Sequence, residues 1–416
     1  MLTQAPKGTQ DMLPDEAHIW QKIEKAMRDV CALAGYREIR TPAFEHTELF
    51  LRGVGDTTDV VQKEMYTFED KGGRSITLKP EGTAGAARAF IEAGMPSQPL
   101  PQKLYYSYCP VFRYEKPQAG RLREHHQLGV EVYGAKDASI DAEVIALAMR
   151  VLREIGIGDL KANINSLGCP KCRAKYSEAL KEFLRPQLPH LCETCRSRFD
   201  RNPLRIIDCK VDSCKERVQG APKMLDVLCD ECHDHFEQLK GYLTALEIPF
   251  DIDPGIVRGL DYYTKTVFEI IPKNGGLTIC GGGRYDGLIE TLGGPEMCGI
   301  GFGMGEERLI GELRARNCLP EAPRLADVFV VTMGNAARIE GLKIVKELRD
   351  AGIRADMDHA ARSMKAQFKY AGKVGAPKVI VIAEDELARG IVKVRDMNKS
   401  EEVEVQRNTI IEEMQK

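Results

Sequence analysis

A set of polar side chains in the first third of the chain has types and spacing suited to an anionic ligand. Gln127 and Glu131 share one face of an alternating segment with Gly129, because strand side chains repeat with a period of two. Arg113 and Glu115 likewise share a face of the preceding run. The connecting turn and its flanks add Lys116, Arg121 and Arg123. Guanidinium groups bind phosphate oxygens bidentately, so this face predicts an anionic ligand; the alternative is a solvated face with surface charges.

Two more arginines are candidates for phosphate binding. Arg258 begins the run Arg-Gly-Leu-Asp-Tyr-Tyr, and Arg308 follows a strict alternation of glycine and apolar residues over 299–305. That alternation predicts a strand with one face of bare backbone, on which a planar ligand or another backbone can lie. The chain has no P-loop and no glycine fingerprint between a first strand and helix, so isolated arginines would have to hold any phosphates. For each arginine the alternative is a surface ion pair.

Eight of the 13 cysteines lie between residues 169 and 232. Thiolates at CxxC spacing suit tetrahedral zinc, and eight could fill two closed structural sites. The grouping stays open, and the alternative is buried free thiols. The members are Cys169, Cys172, Cys192, Cys195, Cys209, Cys214, Cys229 and Cys232. His233 and His235 follow the last pair; they could substitute as metal ligands, but they are expected on a solvated helix face.

A basic helix is predicted near the C-terminus. Lys365, Lys369 and Lys373 repeat at i, i+4 and i+8 within a stretch, 359–383, that contains no acidic residue. Such a face suits a phosphate backbone, and the alternative is a solvated lysine face.

Secondary-structure signals indicate how these groups are positioned. Strand formers on both sides of a Pro- and Gly-containing turn predict a β-hairpin at 104–133, with Leu128, Val130 and Val132 on its core face. Helices are predicted at 15–34, 84–93 and 141–155, and strands at 36–44 and from Phe250 through Tyr262 to Ile271. Residues 311–326 resemble a linker, and alternating strands and helices beyond it predict a small α/β domain with a largely parallel sheet.

Composition narrows the class of protein. With 416 residues, 43% apolar and 29% charged, the chain predicts a globular protein of two or three domains. The net charge of −3 provides no global attraction for nucleic acid, so a nucleic-acid surface would be a local patch. We expect no signal peptide and no membrane span, and hence a cytoplasmic protein.

Several motifs together resemble bacterial histidyl-tRNA synthetases, which are class II aminoacyl-tRNA synthetases, over nearly the full length. Residues 7–11 resemble the family's N-terminal segment, 36–42 motif 1, 112–127 motif 2 and 301–309 motif 3. Most specific are Arg258-Gly-Leu-Asp-Tyr-Tyr and Gly282-Gly-Arg-Tyr-Asp-Gly-Leu, which resemble the two histidine-enzyme signatures.

The resemblance implies an α+β protein with an antiparallel six-stranded catalytic sheet. Expected domains are catalytic (1–168 and 250–324), a Cys-rich helical insertion (169–249) and an anticodon-binding α/β domain (325–416). Motif 1, with Pro42, would form a homodimer interface. Arg113 and Arg258 would act in catalysis. The expected ATP-binding residues are Arg113, Glu115, Arg121 and Arg308. The expected histidine-binding residues are Glu81, Thr83, Gln127, Glu131, Arg258, Tyr262, Tyr263 and Tyr285. The expected tRNA-binding residues are Gln118, Lys365 and Lys369.

The implied reaction is attack by the histidine carboxylate on ATP, with Mg²⁺ on the phosphates, to give histidyl-adenylate and pyrophosphate, followed by transfer to the 3′ end of tRNA(His). The zinc hypothesis rests on cysteine spacing alone, because the commonest family pattern lacks these cysteines. Two alternatives are a catalytically silent synthetase-like regulatory subunit of histidine biosynthesis and a zinc-stapled RNA-binding module. The first generally lacks the anticodon domain, and the second leaves the glycine-rich strand unexplained.

Overall fold

The computed structural model describes residues 3–55, 58–117, 122–209 and 211–415. The chain divides into two compact units, Met1–Pro320 and Glu321–Lys416. No helix among the described residues is both long enough and apolar enough to cross a bilayer. The predicted Gln118 and Arg121 lie outside the described residues.

The first unit contains two sheets. Its strands are β1 (Arg37–Glu38), β2 (Phe44–His46), β3 (Tyr66–Glu69), β4 (Ser75–Leu78), β5 (Gln102–Phe112), β6 (Glu124–Tyr133), β7 (Leu160–Ser166), β8 (Phe250–Ile252), β9 (Thr264–Pro272), β10 (Cys280–Arg284) and β11 (Gly299–Gly305). The large sheet has the order β1-β5-β6-β11-β10-β9-β7-β8, and β2-β4-β3 form the small one. The six central strands of the large sheet are antiparallel, as expected, and parallel strands β1 and β8 extend its two edges.

Helices pack on both faces of the large sheet, and others form the insertion. They are α1 (Pro14–Leu33), α2 (Thr47–Gly53), α3 (Thr83–Glu92), α4 (Ala138–Ile155), α5 (Pro170–Leu184), α6 (Glu193–Arg198), α7 (Leu204–Ile207), α8 (Asp212–Arg217), α9 (Asp230–Ala245), α10 (Leu288–Thr291) and α11 (Glu306–Ala315). Short 3₁₀ or π turns occupy Val60–Glu64, Met95–Ser97, Arg185–His190 and Met224–Val227. Gly156 ends α4 in the left-handed conformation with φ 104°, which glycine adopts without a Cβ penalty.

The hairpin prediction is confirmed for the packing of β6. Leu128, Val130 and Val132 are fully buried in the main core together with apolar residues of α1 and α4. Glu131, on the opposite face, is also fully buried. The predicted solvated alternative is therefore wrong for this strand, because its polar face is covered as well.

Four strand and linker predictions were wrong in extent. The stretch 36–44 contains only the two-residue β1 before β2, because Pro42 lacks the N–H that a ladder needs. The segment between β8 and β9 is irregular, so Arg258 and Tyr262 are not on a strand. β5 ends at Phe112, so Arg113 and Glu115 follow the strand instead of lying on it. The expected linker at 311–326 begins later, since α11 continues to Ala315.

The second unit is a five-stranded sheet with helices. Its elements are β12 (Val328–Thr332), α12 (Asn335–Asp350), β13 (Ala355–Met357), α13 (Met364–Lys373), β14 (Lys378–Ile382), α14 (Glu384–Ala388), β15 (Ile391–Asp396), β16 (Glu402–Gln406), a 3₁₀ turn at Arg407–Thr409, and α15 (Ile410–Gln415). The order is β13-β12-β14-β15-β16. Only the β12–β13 and β12–β14 pairs are parallel, so the expectation of a largely parallel sheet was wrong. Short connections join β14, β15 and β16, and such connections require antiparallel pairing.

Candidate active site and cysteine centres

Glycines form a floor across the centre of the large sheet. Gly129, Gly303 and Gly281 are direct neighbours on β6, β11 and β10, so three adjacent strands present bare backbone in one row. A Cβ on Gly129 would lie 2.4 Å from the Tyr106 ring, and one on Gly281 would lie 2.5 Å from the Arg258 guanidinium. A Cβ on Gly303 would meet only Gln127, at 3.7 Å. Tyr106 and Arg258 therefore cover the two ends of this row of glycines, and its middle, at Gly303, is uncovered.

A buried carboxylate lies at one end of this floor. Oε1 of Glu131 accepts a hydrogen bond from the Tyr106 hydroxyl at 3.1 Å, and Oε2 accepts one from the Tyr285 hydroxyl. Gly301 pairs with Glu131, and a Cβ there would lie 2.3 Å from Oε2. Burial raises the pKa of Glu131 to about 8, although the bond from Tyr285 opposes the shift. The carboxyl therefore holds or releases a proton near neutral pH and can accept an N–H from a ring.

Tyrosines line the wall beside Glu131. The Tyr262 ring stands edge-on to Tyr285 with centroids 5.6 Å apart, and lies 4.7 Å from Tyr263. The Arg258 guanidinium lies 5.4 Å from the centroid of the Tyr263 ring. These residues come from different segments, so the irregular run before β9 brings the first histidine signature against the second.

Arg258 carries its positive charge over the Gly281 end of the floor. Its Nη1 donates to Oε1 of Glu269 at 2.7 Å, and its Nε is buried without a protein partner. Glu269 in turn accepts a bond from the Thr278 hydroxyl at 2.7 Å. Arg308, on α11, donates from Nη1 to the Thr278 carbonyl at 2.6 Å. Two arginines are thus anchored on one side of the floor by neutral and acidic partners.

Arg113 and Glu81 lie at the opposite side of the site. Nε of Arg113 donates to the Pro80 carbonyl at 2.8 Å. Glu81 is buried and accepts bonds from the N–H groups of Thr83 and Ala84 at 2.7 and 2.8 Å, at the start of α3. Burial raises the pKa of Glu81, and these backbone donors counter it. The Thr83 side chain also lowers the pKa of Glu131, so Glu81, Thr83 and Glu131 influence one another.

The cysteines form two separate groups of four. One contains Cys169, Cys172, Cys229 and Cys232, the other Cys192, Cys195, Cys209 and Cys214, and within each group the Sγ atoms lie within 4.8 Å of one another. No disulfide links the described cysteines. The Sγ–Sγ distances are 3.6 Å for Cys169–Cys172 and 3.9 Å for Cys192–Cys209. The edge of a tetrahedron with Zn–S bonds of ~2.3 Å is about 3.8 Å.

The thiols are placed where thiolates are stabilised. Cys169, Cys192 and Cys229 are the N-cap residues of α5, α6 and α9, where free N–H groups favour negative charge. Burial raises the pKa of Cys169, but the N–H groups of Cys172 and Lys171 and the Cys172 thiol bring it down to about 7. The Cys229 N–H donates to Sγ of Cys172 at 3.2 Å, and the Cys192 N–H to Sγ of Cys214 at 3.2 Å. The donor set therefore fits two four-thiolate metal sites.

Two comparisons of the whole chain agree with this geometry. The family model described as "Histidyl-tRNA synthetase" matches residues 8–309, and "Anticodon binding domain" matches 327–416. A "Histidine--tRNA ligase" of Clostridium botulinum (strain Loch Maree / Type A3) is 56% identical, with 97% of each chain covered. That of Caldanaerobacter subterraneus is 54% identical over 100% of this chain and 99% of its own.

The chain belongs to the histidyl-tRNA synthetase family.

A solved histidyl-tRNA synthetase from Staphylococcus aureus has the same fold, with a TM-score of 0.85, 40% identity, and coverage of 99% of this chain and 100% of that one. A histidyl-tRNA synthetase from Nostoc sp. PCC 7120, at 24% identity and a TM-score of 0.71, shares the fold. Within this family, the prediction that the chain is α+β with a helical Cys-rich segment and a C-terminal α/β domain is confirmed.

The structure brings together most residues predicted for a synthetase site. Glu131, bonded by Tyr285, lies at the Gly129 end of the glycine floor, and Arg258 covers the Gly281 end. Tyr262 and Tyr263 connect the two through ring contacts with Tyr285 and Arg258, and Gln127 lies over the open middle. Their individual roles stay predictions. Lys365 and Lys369 lie in the second unit, exposed on α13, while Gln367 and Ala371 face the interior.

Two contributions to this synthetase site were missed, and one placement was wrong. Tyr106 pairs with Gly129 across β5 and β6, and an aromatic residue opposite a strand glycine was the available signal. Glu269, which holds Arg258, shares its row with Gly281, a register that no motif indicates. His235 is buried and lies 2.8 Å from Asp141, so its expected place on a solvated face was wrong. Asp141 also pairs with the fully buried Arg284 of the second signature, which the sequence alone could not connect to the insertion.

Proposed function

We propose that this protein, a histidine–tRNA ligase by its family, binds the histidine imidazole at Glu131 and positions ATP across the open glycine floor. The observation that carries the assignment is the buried Glu131 carboxylate, which is held by two tyrosine hydroxyls beside a sheet face without side chains. An imidazole N–H needs such an acceptor, because a buried ring donor without a partner is costly. Tyr262, Tyr263 and Tyr285 would enclose the ring. Glu81, Thr83 and Gln127 would receive the α-amino group.

The ATP side of the proposal uses the arginines. Arg113 would hold the α-phosphate, Glu115 the adenine edge, and Arg308 and Arg121 the outer phosphates, whose magnesium enters with the nucleotide. A planar base can approach the backbone at Gly303, where a Cβ would otherwise stand. The histidine carboxylate then attacks the α-phosphorus in line, and pyrophosphate leaves.

Arg258 would stabilise the charge that builds up on the α-phosphate during this attack. Its guanidinium is held at one end by Glu269, while its buried Nε has no protein partner. A positioned donor of this kind acts on the transition state more than on bound substrate, since it needs no reorganisation during the reaction.

Other parts of the chain are proposed to bind tRNA and to form a homodimer. The divisions 1–168, 169–249, 250–324 and 325–416 are proposed as catalytic, insertion, catalytic and anticodon-binding segments. Lys365 and Lys369 would contact tRNA phosphates, and Gln118 the acceptor end. A homodimer would form around motif 1, where Phe44 and Leu33 are exposed. We place the protein in the cytoplasm.

The two cysteine groups are proposed to bind one structural Zn²⁺ each. Four thiolates leave no open position for substrate, so these ions would act on folding. Elemental analysis of protein purified under reducing conditions should give about two zinc ions per chain; protein without any metal would refute this assignment.

Histidine-dependent ATP–pyrophosphate exchange tests the main proposal. The purified protein should catalyse exchange with histidine and with no other amino acid. Absence of exchange would overturn the catalytic proposal. A catalytically silent regulatory role is not favoured, because the histidine–tRNA ligases named above match both units of the chain.

A further inference from the structure

The helical insertion contacts the run Arg258–Tyr263 at its main chain. Nη1 of Arg205 donates to the Arg258 carbonyl at 2.8 Å. Arg173 donates to the Asp261 carbonyl at 3.3 Å and, from its other Nη, to the Tyr263 carbonyl. Nδ2 of Asn202 donates to the Asp261 carboxylate at 3.1 Å. Three side chains of the insertion therefore donate hydrogen bonds to the segment that contains Arg258 and the two tyrosines.

The main chain of this run makes few hydrogen bonds to the sheet. It belongs to none of the described helices or strands, and β9 begins only at Thr264. Its backbone bond to the body of the first unit is from the Asp261 N–H to the Val54 carbonyl at 3.2 Å. An irregular segment of this kind is positioned by whatever satisfies its polar groups. Here the insertion supplies a large share of those partners.

Each of these three residues lies close in sequence to cysteines of one of the two groups. Arg173 follows Cys172 on α5. Asn202 and Arg205 lie between Cys195 and Cys209, the middle ligands of the second group. On the other flank of the run, Lys265 bonds Glu231 at 2.8 Å, and Glu231 stands between Cys229 and Cys232. Both cysteine groups are thus connected to this run through short lengths of chain.

Apart from the ion pair of Arg205 Nη2 with Asp59 at 3.6 Å, few contacts other than the small core of the insertion hold these side chains. α6 has six residues and α7 has four, lengths at which a helix is not stable on its own in water. Cys172, Cys195, Cys214 and Cys232 are themselves part of its small buried core. The direction of Asn202 and Arg205 therefore depends on cross-linking of the four thiolates around them.

We infer that Arg205, Arg173 and Asn202 are positioning residues for histidine activation, and that metal in the two cysteine groups keeps them in place. The insertion then belongs to the amino-acid activation machinery, and metal occupancy sets the affinity for histidine even without tRNA. This inference rests on the proposed function of Arg258, Tyr262 and Tyr263. It also requires the proposed zinc sites.

The side-chain arm of the test uses exchange kinetics without tRNA. Arg205→Ala should raise the KM for histidine about tenfold, because it removes a charged donor from the Arg258 carbonyl. Its zinc content and thermal midpoint should match those of the unchanged protein. Arg205→Lys should recover part of the loss, since it retains a cationic donor. Arg217→Ala, at an exposed position on α8, is the matched control. Equal KM values for Arg205→Ala and Arg217→Ala would overturn the positioning role.

The metal arm uses a spectroscopic readout that does not depend on activity. Replacing zinc by Co²⁺ should produce thiolate-to-cobalt charge-transfer absorption, and Cys192→Ser should remove about half of it. Cys192→Ser should also raise the KM for histidine as Arg205→Ala does. Failure of the unchanged protein to bind cobalt would overturn the metal part, and a normal KM in Cys192→Ser would overturn the coupling.

The outcomes separate this inference from the proposed function. Histidine binding measured by calorimetry reports on the run Arg258–Tyr263 even if exchange fails. A protein that binds histidine but does not exchange pyrophosphate contradicts the catalytic proposal alone. A protein that exchanges normally with its metal removed contradicts the present inference alone.

Discussion

The catalytic sheet and the insertion solve the same problem of precise positioning by opposite means. The sheet places Glu131 and Tyr285 by removing side chains, since Gly299 and Gly301 on β11 open the volume that they occupy. A large apolar core beneath β6 supports it. The insertion has short helices and a small core, and it places Arg205 and Arg173 through clustered thiols. One region is held by the packing of its backbone, and the other would be held by the metal proposed for its two cysteine groups.

The difference predicts where each region fails. The sheet should be damaged by a single added methyl group and be indifferent to chelators. The insertion should tolerate surface substitutions and fail when its ligands are lost.

Arg258→Ala should lower histidine-dependent exchange by about 10²- to 10³-fold, because it removes a positioned donor from the developing phosphate charge. Arg258→Lys should be intermediate, since it retains the charge but loses the second donor of the guanidinium. Steady-state exchange with both variants measures the effect, with far-ultraviolet circular dichroism to check the fold. Full activity in Arg258→Ala would remove this residue from the mechanism.

Gly301→Ala and Gly303→Ala form a matched pair on one strand. An alanine Cβ at 301 would lie 2.2 Å from the Val130 carbonyl oxygen, so Gly301→Ala should lose about 1–3 kcal/mol of unfolding free energy and weaken histidine binding. At 303 the space is open, so Gly303→Ala should keep its stability and raise the KM for ATP. Urea unfolding and exchange kinetics distinguish them. Equal stability losses would show that the floor is not open at Gly303.

Glu131→Gln should change how stability depends on pH. Burial raises the pKa of Glu131 to about 8, so the folded state retains its proton above the pH at which the unfolded chain loses it. In the unchanged protein this group therefore contributes stability at acidic pH that is lost as the pH rises towards about 8, by up to about 1.4 kcal/mol per pH unit.

The glutamine amide in this variant cannot ionise, so the variant should lack that slope and should also bind histidine more weakly. Urea unfolding at several pH values between about 5 and 8 provides the measurement. Glu290→Gln, at an exposed position, is the control. Parallel stability curves for Glu131→Gln and the unchanged protein would show that Glu131 ionises normally.

Lys365→Ala with Lys369→Ala should leave exchange unchanged and raise the KM for tRNA in aminoacylation by about three- to tenfold, because phosphate contacts act additively and are screened by salt. Lys346→Ala, on the exposed side of α12, is the control. An unchanged KM for tRNA at low salt would assign the α13 lysines to a solvated face.

The motifs and the two faces of β6 could be predicted from the sequence. The residues that hydrogen-bond to the motif side chains and hold them in place could not. Alternation identified Glu131 and the glycine strand, since period two is a local property. It could not place Tyr106, Glu269 or Arg173, because each acts on a residue of another strand or segment. The cysteine spacing indicated metal sites, but spacing alone could not pair Cys172 with Cys229, since that grouping depends on how α5 and α9 approach.

The pairing of β6 with β11 also sets an order of events during synthesis. Residues 127–133 pair with 299–305, and every cysteine of the insertion is made between them. At a synthesis rate of roughly 5–20 residues per second, on the order of ten seconds separates the two strands at the ribosome. The middle of the sheet stays open throughout that interval, while the complete set of thiols emerges. All eight thiols of the insertion are therefore available, and the insertion can fold locally, before the floor of the active site forms.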